Sequence, residues 1–230
     1  MSSLENRTVL LVGATGAFGN EFAKQLQAAG ARVIGTASSA ESAHRLPAGL
    51  SGSAFLNLDD SVSIESVAAQ LPDEIDAIVF AAGEVAFGSA AETPTAITKR
   101  LMQVNFLGQV AVVHSLMPKL QASAAANREP FVVSISGVIA ETPMAGLSSY
   151  SASKTALHGF ATAATRELRR AGIRWLDARP GHTESGLADR AIYGVAPAFG
   201  AGLKTEDVVA RIVRAIQEDE KDLPSTAFTA

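Results

Sequence analysis

The chain has 230 residues, 47% hydrophobic and 18% charged, which suits one buried α/β-sized core and excludes a disordered chain. A formal charge of −4 offers no electrostatic footprint for nucleic acid or an anionic membrane, and the absence of cysteine excludes disulfides, thiol catalysis and thiolate metal sites. The stretch Met1–Arg7 has no apolar signal core and no apolar run approaches the ~20 residues of a membrane span, so a cytoplasmic protein with neither membrane nor nucleic-acid partners is expected.

Thr8-Val9-Leu10-Leu11-Val12 is a short apolar run that stops at Gly13, as suits a strand buried on both faces of a parallel sheet. Gly13-Ala14-Thr15-Gly16-Ala17-Phe18-Gly19 follows. From Asn20 to Ala29 the pattern is helical, with Phe22, Ala23, Leu26 and Ala29 on one face and Gly30 as the stop. Strand, glycine loop and helix is the order in which glycines bind phosphate, because backbone N–H groups and the positive helix end converge on one point. Gly13 then serves the tight turn, Gly16 the close approach of a pyrophosphate and Gly19 the helix–sheet contact. Thr15 and Phe18 belong to the same candidate cofactor-binding loop.

Ala31–Thr36 reads as the second strand. After it, Thr36-Ala37-Ser38-Ser39 lacks the carboxylate that would bind the ribose 2′-hydroxyl of NAD. Thr36, Ser38 and Ser39 can instead donate to a 2′-phosphate, with Arg45 farther on. That tilts the expectation to NADP(H), with NAD(H) as the alternative. Ser38 or Ser39 as the N-cap of a helix Ser39–Leu46 is a competing explanation.

The third strand is read at Ala54–Leu58, a helix at Ser61–Leu71, and a fourth strand at Ala77–Ala82 ending at Gly83. Thr95–Leu120 reads as one long helix with Leu101, Val104, Leu107 and Ala111 along one side. Pro130–Ile135 is the fifth strand, a helix opens near Tyr150 and runs to about Ala171, and Arg174–Ala178 is the sixth strand, closed by Pro180-Gly181. Residues 183–204 form a Gly-, Ala- and Pro-rich substrate loop. Thr205–Asp219 is the last helix, and Thr226–Phe228 adds a short edge strand. Strands alternating with helices imply right-handed βαβ units. The expected fold is a Rossmann-type doubly wound parallel sheet, α/β, three layers, in a single domain over residues 1–230.

Tyr150-Ser151-Ala152-Ser153-Lys154 opens the sixth-strand crossover helix. On a helix, Tyr150 and Lys154 leave one face with Cβ atoms about 5–6 Å apart. An ammonium beside a phenol favours the phenolate and lowers its pKa from about 10, so the phenol can exchange a proton near neutrality. YxxxK alone is common as an ordinary surface pair, and its context decides.

Gly13-x-x-Gly16-x-x-Gly19, Ala81-Ala82-Gly83, Asn105, Tyr150-Ser-Ala-Ser-Lys154 and Pro180-Gly181 resemble, in order and spacing, the short-chain dehydrogenase/reductase family over nearly the whole chain. The resemblance implies that Tyr150 is the general acid/base. It gives Lys154 the tasks of lowering the Tyr150 pKa and holding the nicotinamide ribose. Asn105 would anchor a water of the proton relay, or else simply satisfy a neighbouring backbone group. Asp59 would contact adenine, or cap the helix beginning near Ser61. Ala82, Gly83, Pro180, Gly181 and Thr183 would line the cofactor. The implied activity is hydride transfer between NAD(P)(H) and a small or medium apolar carbonyl or alcohol.

The chain departs from the family at its catalytic serine, thirteen positions before the tyrosine, where Gly137 stands. Ser136 is the nearest replacement, although neighbouring side chains on a strand point to opposite faces. Ser148 and Ser149 lack positional support. Restoring a hydroxyl with Gly137→Ser is expected to speed carbonyl reduction. Position 81 is alanine where the family commonly has asparagine, and the middle glycine of the loop comes one residue early. The alternative function is a dinucleotide-binding sensor or partner protein with little turnover. His158 and His182 are isolated, so no metal is assigned. Leu107, Val110, Val112 and Val113 on one helix, with Phe160, Ala161 and Ala164 on another, predict a homodimer or homotetramer through a second apolar face.

Overall fold

The apolar runs become strands because nearly every residue in them is buried on alternate sides of one sheet. In the computed structural model, which describes residues 3–228, the strands are β1 (Thr8–Val12), β2 (Arg32–Ala37), β3 (Gly52–Phe55), β4 (Ala77–Phe80), β5 (Phe131–Ile135) and β6 (Arg174–Ala178). Met1 and Ser2 of the N-terminal stretch lie outside the described residues. All pairings are parallel and the order is β3-β2-β1-β4-β5-β6. The chain reverses its winding between β1 and β4, where a doubly wound sheet opens a crevice at its carboxyl edge.

Val9 and Leu11 of β1 join one apolar layer while Leu10 and Val12 join the other, the period of two that a sheet imposes. Helices α1 (Ala17–Ala28) and α7 (Thr205–Gln217) supply Phe22, Leu26, Val209 and Ile212 to the first layer. The second layer comes from α3 (Ser61–Ser66), α5 (Gly108–Ala125) and α6 (Ser148–Leu168), with Ile64, Leu116, Leu120 and Ala161. Two short helices complete the set, α2 (Ala40–Ala43) and α4 (Thr95–Met102). This is the expected single-domain, three-layer Rossmann-type fold. Among the described residues no helix is long and apolar enough to cross a membrane.

Helix α2 stops at Ala43 rather than Leu46, α3 gives way at Ser66 to a 3₁₀ turn, and β4 ends at Phe80; three further differences have a clear physical reason. β3 ends at Phe55, because β2 ends at Ala37 and leaves residues beyond Leu56 without a ladder partner. The long helix Thr95–Leu120 is broken by a π segment, Gln103–Leu107, in which Gly108 N–H bonds the Gln103 carbonyl. A Cβ on Gly108 would stand 2.4 Å from the Leu58 carbonyl oxygen, so the helix shifts register to set a glycine there. The tail is a 3₁₀ turn, Ser225–Phe228, rather than a strand. The bridge to β6 is made earlier, by Leu223 to Ala178, and Phe228 turns inward to the core.

Candidate active site

Gly13 ends β1 with φ +84°, and a Cβ there would lie 2.7 Å from the Ala82 backbone nitrogen. Its N–H donates to Thr36 Oγ1 at 3.0 Å, which joins the glycine loop to the end of β2. Gly19 packs so closely on the turn that a Cβ would meet the Gly13 carbonyl at 2.1 Å. Gly16 has no such contact. It stands at the N-cap of α1 without a side-chain cap, so the first N–H groups of that helix face open space.

That space is a cleft of about 760 Å³ across the carboxyl ends of the strands, within the usual range for small-molecule sites. Gly13, Thr15, Gly16, Phe18, Thr36, Ser38, Ala82, Gly83, Ser136, Tyr150, Lys154, Pro180, Gly181 and Thr183 all line it. Gly19, Asp59 and Asn105 do not.

Asp59 pairs with Arg100, a residue of α4 that also binds Glu84 through two bonds of 2.7 and 2.8 Å. The cap of α3 is Asp60, which accepts from Val62 N–H at 3.0 Å. Leu56, Asn57 and Leu58 form the wall of the cleft beyond β3. Asn105 is fully buried in the π segment. Its amide accepts from Glu84 N–H and donates to the Glu84 carbonyl and to Ser153 Oγ, at 2.9, 2.9 and 3.0 Å. Of the two serines after β2, Ser39 makes a reciprocal cap with Ser42, which leaves Ser38 to the cleft. Arg45 lines the same end, is exposed, and has no ion pair among the described residues.

Tyr150 and Lys154 share a face of α6, with the ammonium 5.9 Å from the phenol ring centre. Lys154 Nζ donates to the Ile135 carbonyl at 2.8 Å. Burial pushes the Tyr150 phenol up to about 12, where a lowered value was expected. The ammonium directs one N–H to a carbonyl, and desolvation of the phenolate dominates. Lys154 itself is brought down to about 8 by burial, with the charge of Asp177 acting in the opposite sense.

Ser136, the nearest replacement for the missing hydroxyl, is turned to a carboxylate. It is fully buried and donates to Asp177 Oδ2 at 2.6 Å, so its one proton is already placed. Ser149 is engaged with Thr98 at 2.7 Å, and Ser148 is exposed outside the cleft. Gly137 adopts φ 78° and ψ 164°, a region that only glycine occupies without strain. Gly137→Ser therefore strains the backbone, even though the nearest atom to a Cβ there is the Pro180 carbonyl oxygen at 3.6 Å.

The outer half of the cleft is apolar. Val85, Phe87, Ile139 and Leu147 form a buried cluster against which Tyr150, Leu187 and Phe199 pack. Phe199 contacts Phe87 at 6.0 Å between ring centres and stacks on His182 at 4.6 Å. Phe87, Ile139, Met144 and Leu147 carry no local sequence signal, since they come from loops that only the fold brings together. Among the described residues no cluster of three metal-ligating side chains occurs.

A protein-family model for short chain dehydrogenase matches residues 7–192. Serine 3-dehydrogenase from Rhizobium radiobacter is 32% identical over 187 residues, covering 77% of this chain and 72% of that protein. A short chain dehydrogenase from Burkholderia cenocepacia J2315, solved in complex with NADP, superposes with a TM-score of 0.84 at 18% identity, covering 99% of this chain and 91% of that one. A 3-ketoacyl-(acyl-carrier-protein) reductase from Brucella melitensis, complexed with NADH, gives 0.85 at 21%, covering 96% and 97%. At these identities the two structures speak for the fold.

Proposed function

The chain belongs to the short chain dehydrogenase family, and from that premise we propose that it is a nicotinamide-dinucleotide-dependent oxidoreductase acting on a small or medium apolar carbonyl or alcohol. The observation that carries this reading is the meeting of the Gly13–Gly19 loop and the Tyr150/Lys154 pair in one cleft, at the winding reversal of the sheet. The cradle fits a dinucleotide: the uncapped start of α1 suits a pyrophosphate, and Gly16 leaves its backbone approachable.

When bound, the reduced cofactor supplies a hydride to the substrate carbonyl carbon. Tyr150 gives the proton to the oxygen. A phenol pushed up to about 12 holds its proton at neutral pH, the form that can donate to a substrate oxygen. Lys154, which lines the same cleft beside Tyr150, would hold the ribose hydroxyls. The apolar cluster around Phe87 and Phe199 supports an apolar substrate. NADP(H) is favoured over NAD(H) because Ser38 and the unpaired Arg45 end the cleft where a carboxylate would otherwise stand. Binding of both cofactors, followed by fluorescence, tests this. Tighter NADH binding removes the preference, and no binding of either removes the reading. Consumption of NADPH over a panel of apolar ketones and aldehydes tests the chemistry. Tyr150→Phe should lower any confirmed turnover by about 10²–10⁴-fold while NADPH still binds.

A second reading is a dinucleotide-binding sensor or partner protein with little turnover. Two observations favour it: the glycine-only backbone at 137, and the commitment of Ser136 to Asp177. NADPH binding without turnover on any panel member supports this reading over the first.

A further inference from the structure

Asp177 is a buried carboxylate that takes no direct part in the chemistry above, yet four groups converge on it. Ser134 donates to its Oδ1 at 2.6 Å, Ser136 to its Oδ2 at 2.6 Å, and His158 Nδ1 meets the same Oδ2 at 2.8 Å. Arg179 lies 3.7 Å from Oδ2, and its own charge is shared with Glu141 and Asp222. Three of these contacts bear on Lys154. Ser134 and Ser136 flank Ile135, whose carbonyl seats the Lys154 ammonium. His158 lies four residues after Lys154 on α6, so both leave the same face of that helix.

We propose that Asp177 is a positioning residue for Lys154: it grips the strand on either side of the Ile135 carbonyl, grips α6 one turn beyond the lysine, and supplies a buried counter-charge whose strength the His158 proton sets. The inference rests on the reading of Lys154 as the ribose-holding residue. Burial works against the Lys154 charge and Asp177 works for it. His158 is 31% exposed and exchanges protons with solvent, and its hydrogen bond to Asp177 raises its pKa. With His158 protonated, Asp177 is neutralised by a nearer cation. With His158 neutral, Asp177 acts on Lys154, opposed only by Arg179, which Glu141 and Asp222 already offset.

Two measurements decide it. Lys154 is titrated in the cofactor-free protein by ¹³C-lysine NMR, assigned with Lys154→Arg. The NADPH dissociation constant is measured by fluorescence from pH 5 to about 10. Asp177→Asn should lower the Lys154 midpoint by about one pH unit, the lower end of what a close charge exerts. NADPH affinity should then be lost at a correspondingly lower pH. Asp177→Glu should recover most of both shifts, which a merely structural role does not predict. His158→Gln keeps a hydrogen-bond donor but can bring no competing charge to Asp177, so the Lys154 midpoint should rise and NADPH affinity should persist to higher pH. An unmoved Lys154 midpoint in folded Asp177→Asn overturns the proposal. If that variant does not fold, a Lys154 midpoint that does not rise in His158→Gln overturns it instead. Wild-type protein that binds neither NADPH nor NADH refutes the cofactor reading alone, since the lysine titration still judges the link between Asp177 and Lys154.

Discussion

Gly137 is the residue on which the sequence comparison and the backbone disagree most usefully. A serine at this position would have to hold φ 78° with ψ 164°, at a cost on the order of 1–3 kcal/mol. Gly137→Ser is therefore expected to lower thermal stability and to give no gain in carbonyl reduction, the reverse of the expectation from sequence. A faster and equally stable variant would show that the loop relaxes freely. At the opposite end of the sheet, Asp76 is fully buried and bound by Arg128 through two bonds of 2.7 Å, by Ser123 and by Thr8 N–H. Burial pushes its carboxyl up, but these hydrogen bonds outweigh it and hold the pKa below the ordinary value. A depressed carboxylate stabilises the fold above its unfolded pKa of about 4, and that stability is lost as pH falls through the lower folded value. Asp76→Ala should cost roughly 3 kcal/mol in urea unfolding at pH 7, and the wild-type advantage should shrink toward pH 2. A difference that stays flat with pH would contradict this.

At the scale of elements, the π segment Gln103–Leu107 is what brings Asn105 to Glu84 and Ser153 and sets Gly108 against Leu58. A helix of regular register would have rotated these residues by about 100° per position and lost all three contacts at once. Gly108→Ala places a methyl where no space exists, and should destabilise by about 1–3 kcal/mol. Because Asn105 also holds the Glu84 backbone beside Gly83, the same variant should weaken NADPH binding. Thermal denaturation and fluorescence titration check both effects, and a variant unchanged in either would mean the helix slips back without consequence. The polar Asn105 was visible in the sequence as an oddity in a helical pattern. The break in the helix was not, because it answers to the Leu58 carbonyl, distant along the chain, rather than to any neighbour of Gly108.

At the scale of the molecule, much of the second apolar face expected on the long helices proves internal. Val112, Val113, Ala161 and Ala164 are buried against the sheet. What remains outward is Leu107, 48% exposed, with half-buried Phe106, Val110 and Phe160, the two rings meeting edge to face at 5.9 Å. A homodimer through this patch is the expected outcome of light scattering at micromolar concentration. Leu107→Lys should shift the protein toward monomer without loss of the far-ultraviolet helical signal. A wild-type monomer at that concentration ends the idea.

The sequence alone determined the layer plan, the alternation of strands and helices, the glycine loop and the Tyr150/Lys154 face. These depend on local periodicity, on backbone freedom and on spacing along one helix, all of which are written in neighbouring residues. Only the tertiary structure decided which groups meet. It gave Ser136 to Asp177, Asp59 to Arg100 and Thr36 to Gly13, and it let burial rather than Lys154 govern the Tyr150 phenol. Those outcomes depend on distances between strands far apart in the chain and on how much water each group loses, and no pattern of neighbours encodes either quantity.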